Sequence, residues 1–185
     1  MTNVLAYDTT GESLSISIRS SIGTSHYRYN FGLRHGEILG DRVNKALEDH
    51  NLKVRDLEGV LCSRGPGSFT GLRIGMAFGK GLSVALGIPL LSISPLEAMA
   101  YNGQKVFSDA ILLPVIDGKK KRFFWALYKG GLLQEGPGDW AIETIGESLT
   151  NILEKKGSPG SLVIISFDRP GFRGELQSFS RGLVQ

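Results

Sequence analysis

The stretch Ser63-Arg64-Gly65-Pro66-Gly67-Ser68-Phe69-Thr70-Gly71-Leu72-Arg73-Ile74-Gly75-Met76-Ala77-Phe78-Gly79-Lys80-Gly81 decides how this chain is read. It follows a short apolar run, Glu58 to Cys62, and so reads as strand, tight turn and helix. Two nucleotide motifs are tested by position and fail. A phosphate loop of the Walker kind needs a glycine five residues before Gly79-Lys80 and a hydroxyl after; Ile74 and Gly81 stand there. A dinucleotide fingerprint opens with Gly65 and Gly67 but places Thr70 where its third glycine belongs. What survives is physical. Ser68 or Thr70 caps a helix whose first N–H groups either meet an anion or are satisfied by those hydroxyls.

The helix itself carries a second puzzle. Gly71, Gly75 and Gly79 recur every four residues and share one face, and each costs about 1 kcal/mol against alanine. A smooth face of this kind compensates by letting another backbone come close, either the chain's own sheet or a helix of another chain. Leu72, Met76, Leu82, Ala85 and Leu86 suffice to cover the sheet, which leaves the glycine face for a partner.

Outward from this stretch the elements alternate. Residues 3–7 read as a buried strand. Asp8-Thr9-Thr10-Gly11 is a turn whose carboxylate and hydroxyls either organise the turn or hold a phosphate. Leu14, Ile16 and Ile18 alternate with polar residues, and Ser25 to Phe31 completes a three-stranded meander. Ile38, Leu39, Val43, Ala46 and Leu47 mark one face of a helix over 35–50. Gly87 and Pro89 end the glycine helix, residues 90–93 form a strand, and Ser94-Pro95 opens another helix. The second half repeats the theme: a strand over 110–116 ending in Asp117-Gly118, a strand over 122–128, a Gly130-Gly131 turn, a helix near 143–155 and a strand over 161–166. Two α/β lobes follow, residues 1–100 and 101–185.

Composition narrows the function classes. The chain has 185 residues, 41% hydrophobic and 21% charged, which is globular and not disordered. The net charge of +3 is spread over both halves, so no basic tail argues for nucleic acid. The dense cluster Lys119-Lys120-Lys121-Arg122 is either a solvated tip or a phosphate contact. One cysteine, Cys62, excludes an internal disulfide. The absence of a secretory pattern or an uninterrupted apolar span predicts a cytoplasmic protein with no membrane association. His26, His35 and His50 form no metal-binding pair, His35 reads as a surface contact, and no serine elbow or catalytic cysteine setting exists. A non-catalytic role is expected, with no metal.

The run SRGPGSFTGLRIGMAFGKGL resembles the signature of the TsaB (YeaZ) family, close to diagnostic in its Gly-Pro-Gly-Ser-Phe-Thr-Gly-Leu-Arg-Ile-Gly core. The opening strand with Asp8-Thr9-Thr10 and the helix carrying Arg34-His35 and Ile38-Leu39 are similar to the family's as well, and the likeness covers residues 1 to about 128. The resemblance implies an actin-like ATPase fold of the ribonuclease H-like kind, with two related lobes, the second shortened. It implies a non-catalytic subunit of TsaD in forming threonylcarbamoyladenosine (t6A) on tRNA, with TsaE as a further member and TsaC supplying threonylcarbamoyl-adenylate. Older glycoprotease-like descriptions of the family find no support in these residues.

By the same resemblance the first two helices dock TsaD, or a second copy of the chain. Contacts carried over are His35, Ile38, Leu39, Arg42, Gly71, Gly75, Phe78 and Gly79, so Gly75→Leu is expected to abolish docking and spare the fold. Asp8, Thr9, Thr10, Gly65, Gly67, Ser68 and Thr70 are the candidate anion or nucleotide set. No cofactor is assigned, and whether ATP or ADP binds this chain or only its junction with TsaD stays open. The alternative is a small-molecule phosphotransferase of the same fold, using Asp8 and the glycine loop. The second lobe departs from the family, which usually has Ile-Asp-Ala-Arg-x-Gly-Glu-Val-Tyr where this chain has Ile116-Asp117-Gly118-Lys119-Lys120-Lys121-Arg122-Phe123-Phe124.

Overall fold

A computed structural model describes residues 2–30, 32, 34–141, 144, 147, 150–151 and 162–166. The chain divides into two compact units, Met1–Pro95 and Leu96–Gln185.

In the first unit, β1 (Val4–Asp8), β2 (Leu14–Ser20) and β3 (Gly23–Tyr29) form the expected meander, and α1 spans His35–Glu48. A 3-10 turn at Val54–Asp56 leads into β4 (Gly59–Ser63), which pairs parallel with β1. Then come α2 (Phe69–Leu86) and β5 (Leu90–Ile93), parallel to β4. The sheet order is β3-β2-β1-β4-β5, so β1 is central. β2 obeys its period of two: Leu14, Ile16 and Ile18 are almost wholly buried. They join Leu39, Val43, Leu47, Val60 and Cys62 in one core beneath the helices. Ser68 caps α2, its hydroxyl accepting the Gly71 N–H at 3.2 Å, and Gly87 ends the helix at a φ of 67° that an L side chain resists.

In the second unit, α3 (Pro95–Gln104) precedes β6 (Ile111–Lys119), β7 (Arg122–Lys129), β8 (Leu132–Ala141) and β9 (Leu162–Ser166). The order is β8-β7-β6-β9, antiparallel except for the parallel β6–β9 pair. This repeats β3-β2-β1-β4 strand for strand, more fully than the sequence pattern, which reads only a partial repeat. Leu112, Ala126 and Tyr128 pack on Leu96 and Ala100. Leu113, Val115, Phe123, Trp125 and Leu127 form a separate cluster with Trp140.

β8 was not anticipated. Its Gly136-Pro137-Gly138 reads as a loop, yet an edge strand tolerates proline. Trp140 stacks on Trp125 with ring centroids 3.8 Å apart, and a Cβ at Gly138 would lie 2.6 Å from the Trp125 indole. Aromatic packing, not periodicity, holds this strand. Of the helix expected near 143–155, residues 147, 150 and 151 are helical; most of it lies outside the described residues, as does the chain after 166. Among the described residues no helix is long and apolar enough to cross a membrane.

Candidate functional site

α2 lies across the strand at the centre of the first sheet, and its glycines face that strand. Gly71, Gly75 and Gly79 are buried. A Cβ at Gly71 would stand 1.9 Å from the Thr9 carbonyl oxygen, at Gly75 2.4 Å from Thr9 Oγ1, and at Gly79 2.5 Å from the Tyr7 hydroxyl. The strand's side chains then bond the helix backbone directly. The Tyr7 hydroxyl donates to the Gly75 carbonyl at 2.6 Å, and Thr9 Oγ1 donates to the Gly71 carbonyl at 2.7 Å. Burial raises the Tyr7 hydroxyl above its ordinary pKa, with Cys62 adding to the shift. Burial also raises the Cys62 thiol.

The sequence-based assignment of this glycine face to a partner is therefore corrected: the chain's own β1 occupies it. The other carried-over contacts divide similarly. His35 is not a surface contact; it is 2% exposed, and its Nε2 donates to the Gly11 carbonyl at 2.9 Å, which tethers α1 to the β1–β2 turn. A carbonyl only accepts, so Nε2 bears the proton. Leu39 is in the core. Phe78 meets Tyr7 edge-on with centroids 5.7 Å apart, and Arg42 lies over the Tyr29 ring at 5.2 Å. Ile38 is half-buried beside the core.

The candidate anion set also resolves into parts with different jobs. Thr10 donates through both its N–H and its Oγ1 to Asp8 Oδ1, at 2.8 and 2.6 Å. The Ser68 N–H donates to the Thr10 carbonyl at 2.8 Å, and a Cβ at Gly67 would meet the Thr10 side chain at 2.6 Å. Gly65, at φ 82°, lets the chain turn away from β4, and its N–H lies 3.4 Å from Ser63 Oγ. Thr9, Thr10, Gly67 and Ser68 thus form a clasp between the β1–β2 turn and the start of α2. The hydroxyls that would cap an incoming phosphate are engaged within the chain. Thr70 faces solvent and Asp8 is half-exposed. Among the described residues no group of histidine, cysteine, aspartate and glutamate is placed to hold a metal.

Turning the glycines inward fixes what α2 shows outward. Phe69, Arg73, Ala77, Lys80 and Val84 form an exposed stripe at helical spacing, with Val84 85% exposed. The Arg73 guanidinium lies 4.1 Å from the Phe69 ring. α1 runs beside α2, since a Cβ at Gly36 would meet Ile74 at 3.4 Å. At Gly40 and Gly81 an added Cβ would meet nothing within 4 Å. The charges on α2, Arg73 and Lys80, are basic, whereas α1 exposes Glu37, Asp41 and Glu48 as well as Lys45. Sequence reasoning missed Gly36, Gly40, Val84 and the donor role of Tyr7. The signal available for the outward stripe was its apolar residues on the side of α2 opposite the glycines.

The family described as TsaD, tRNA N6-adenosine threonylcarbamoyltransferase, matches residues 31–167. The chain is similar to the tRNA threonylcarbamoyladenosine biosynthesis protein TsaB of Bacillus subtilis, 32% identical over 135 residues, 71% of this chain. It spans 58% of the length of that relative. Among solved structures it resembles YeaZ from Pseudomonas aeruginosa, with a TM-score of 0.67 and 24% identity over 76% of this chain and 67% of that one. It also resembles a Bacteroides thetaiotaomicron protein of actin-like ATPase fold and unknown function, with a TM-score of 0.56 and 8% identity over all of this chain and 89% of that one. The duplicated strand order and these likenesses give the chain an actin-like ATPase fold.

Proposed function

The chain belongs to the TsaD family in its TsaB (YeaZ) branch, and from that premise we propose that it acts in t6A formation on tRNA as a non-catalytic partner of TsaD. The observation that carries the reading is the division of labour in α2. One face is consumed by β1, while Phe69, Arg73, Ala77, Lys80 and Val84 are exposed on α2, and on α1 an added Cβ at Gly40 would meet nothing within 4 Å. Small residues at Gly40 and Gly81 admit a partner helix close to both backbones. A Phe69–Arg73 pair and Val84 supply an aromatic, a cation and an aliphatic anchor of the kind that dominates protein interfaces. TsaD is the proposed occupant, with TsaE and tRNA joining through the complex; a second copy of the chain is the competing occupant of the same helices.

One feature supports the non-catalytic role. The hydroxyls of Thr9, Thr10 and Ser68 are engaged within the chain, with the Gly71 carbonyl, Asp8 and the Gly71 N–H. In this first loop the phosphotransferase alternative argues from Asp8, which is half-exposed, and Thr70, which is exposed. Domain limits at residues 1–100 and 101–185, and a nucleotide bound at the junction with TsaD, belong to the same proposal. The test is reconstitution: TsaD, TsaE and threonylcarbamoyl-adenylate with unmodified tRNA, with and without this chain. ATP turnover is measured on the chain alone. Robust turnover by the isolated chain would favour the phosphotransferase.

A further inference from the structure

The two sheets are repeats, so the turn between β6 and β7 occupies the place that the Asp8 turn holds between β1 and β2. The likeness reaches the side chains. Asp8 Oδ1 accepts the Thr10 N–H at 2.8 Å, and Asp117 Oδ1 accepts the Lys119 N–H at the same 2.8 Å. From this shared bracket the chemistry diverges. In the first unit the next residues turn inward and clasp α2. In the second they are Lys119, Lys120, Lys121 and Arg122, all exposed.

Their backbone is unusual. Lys119, Lys120 and Lys121 have φ of 65°, 50° and 60°, three consecutive L side chains in the left-handed region. Lys119 pairs with Arg122 across β6 and β7, which leaves Lys120-Lys121 as a two-residue hairpin loop with both φ values positive. Asn-Gly is the pair that such a loop favours. The turn is also braced. Arg122 Nε donates to both oxygens of Asp139 at 3.0 and 2.8 Å, and Lys119 Nζ lies 3.3 Å from Asp117. Lysines held in a strained loop on a braced platform are the outlier from which a functional reading is drawn.

We infer that this turn contacts the phosphodiester backbone of RNA, with Lys120 and Lys121 at its tip as the contacting cations. The inference rests on the reading that the chain works beside a tRNA; the charge itself specifies a phosphate. The flanking Lys119 and Arg122 pair with Asp117 and Asp139 and hold the loop, and Lys120 and Lys121 are exposed at its tip. No exposed aromatic stands in the tip to stack a base, so the contact reads backbone and not sequence.

The test is binding of the full chain to a labelled, unmodified tRNA transcript over a salt series, for wild type and for Lys120→Asn/Lys121→Gly. This double variant removes two charges while installing the residues the loop favours, so folding is not at risk; its melting temperature is expected to equal or exceed that of wild type. The expected result is a Kd raised about tenfold at low salt and a log–log salt slope shallower by about 2. Unchanged affinity and slope overturn the inference. So does displacement of the tRNA by millimolar inorganic phosphate, which would mark a small-anion site. The t6A reconstitution reads separately: lysine-dependent binding without t6A formation sinks the proposed function alone, and t6A formation with lysine-independent binding sinks this inference alone.

Discussion

The inward glycine face makes a sharp prediction when the same substitution is made at two positions of α2. In Gly71→Ala, the new methyl carbon would lie 1.9 Å from the Thr9 carbonyl oxygen. Carbon and oxygen tolerate about 3.3 Å, so helix and strand must part by more than about 1 Å. That shift strains the packing, at about 1–3 kcal/mol, and breaks the bond from Thr9 Oγ1 to the Gly71 carbonyl, at about 1 kcal/mol. Alanine's helix preference returns about 1 kcal/mol. The net is a destabilisation of about 1–3 kcal/mol. In Gly81→Ala the methyl meets nothing within 4 Å, and only the helix preference acts, so a stabilisation of about 0.5–1 kcal/mol is expected. Urea unfolding followed by far-ultraviolet circular dichroism is the assay, because both tryptophans, Trp125 and Trp140, belong to the second unit. Equal effects of the two substitutions, or a neutral Gly71→Ala, would refute the placement of the glycines on β1.

Tyr7→Phe keeps the ring against Phe78 but leaves the buried Gly75 carbonyl without its side-chain donor, and should cost about 1–3 kcal/mol in the same urea titration. Stability should also fall at alkaline pH. Burial holds the Cys62 thiol above its ordinary 9.0 and the Tyr7 hydroxyl above its ordinary 10.0. The folded chain therefore keeps these protons where the unfolded chain loses them; the stabilisation is complete below about pH 9 and is lost as pH rises through the raised values. Unfolding midpoints taken across that range check this, and a wild-type stability that rises above pH 9 would contradict it.

Much of the first unit is legible in the sequence because local rules and the fold agree there. The alternation of Leu14, Ile16 and Ile18 defines β2, and Ser68 and Gly87 bound α2. The direction of the glycine face is not legible. A spacing of four says that a helix face is smooth and leaves open what lies against it. The residues that decide it, Thr9 and Tyr7, lie 62 and 68 positions from their bonding partners on α2. His35 misleads for a related reason: its partner, the Gly11 carbonyl, is a backbone atom 24 residues away and has no sequence signature. β8 hides because an edge strand held by the stack of Trp140 on Trp125 keeps no period of two and admits Gly136-Pro137. The duplicated strand order is readable, since both halves open with strand, aspartate turn and strand.

The most direct measurement is t6A formed by TsaD, TsaE and threonylcarbamoyl-adenylate on unmodified tRNA as this chain is titrated in, wild type against Gly40→Leu/Val84→Glu. At Gly40 an added Cβ would meet nothing within 4 Å, and Val84 is 85% exposed. The account predicts that wild type restores t6A formation and that the double variant, with an unchanged circular dichroism spectrum, loses at least tenfold in potency, the loss of about 1.4 kcal/mol of binding. A double variant that restores t6A at the wild-type concentration would contradict the account, as would t6A formation that needs no copy of this chain.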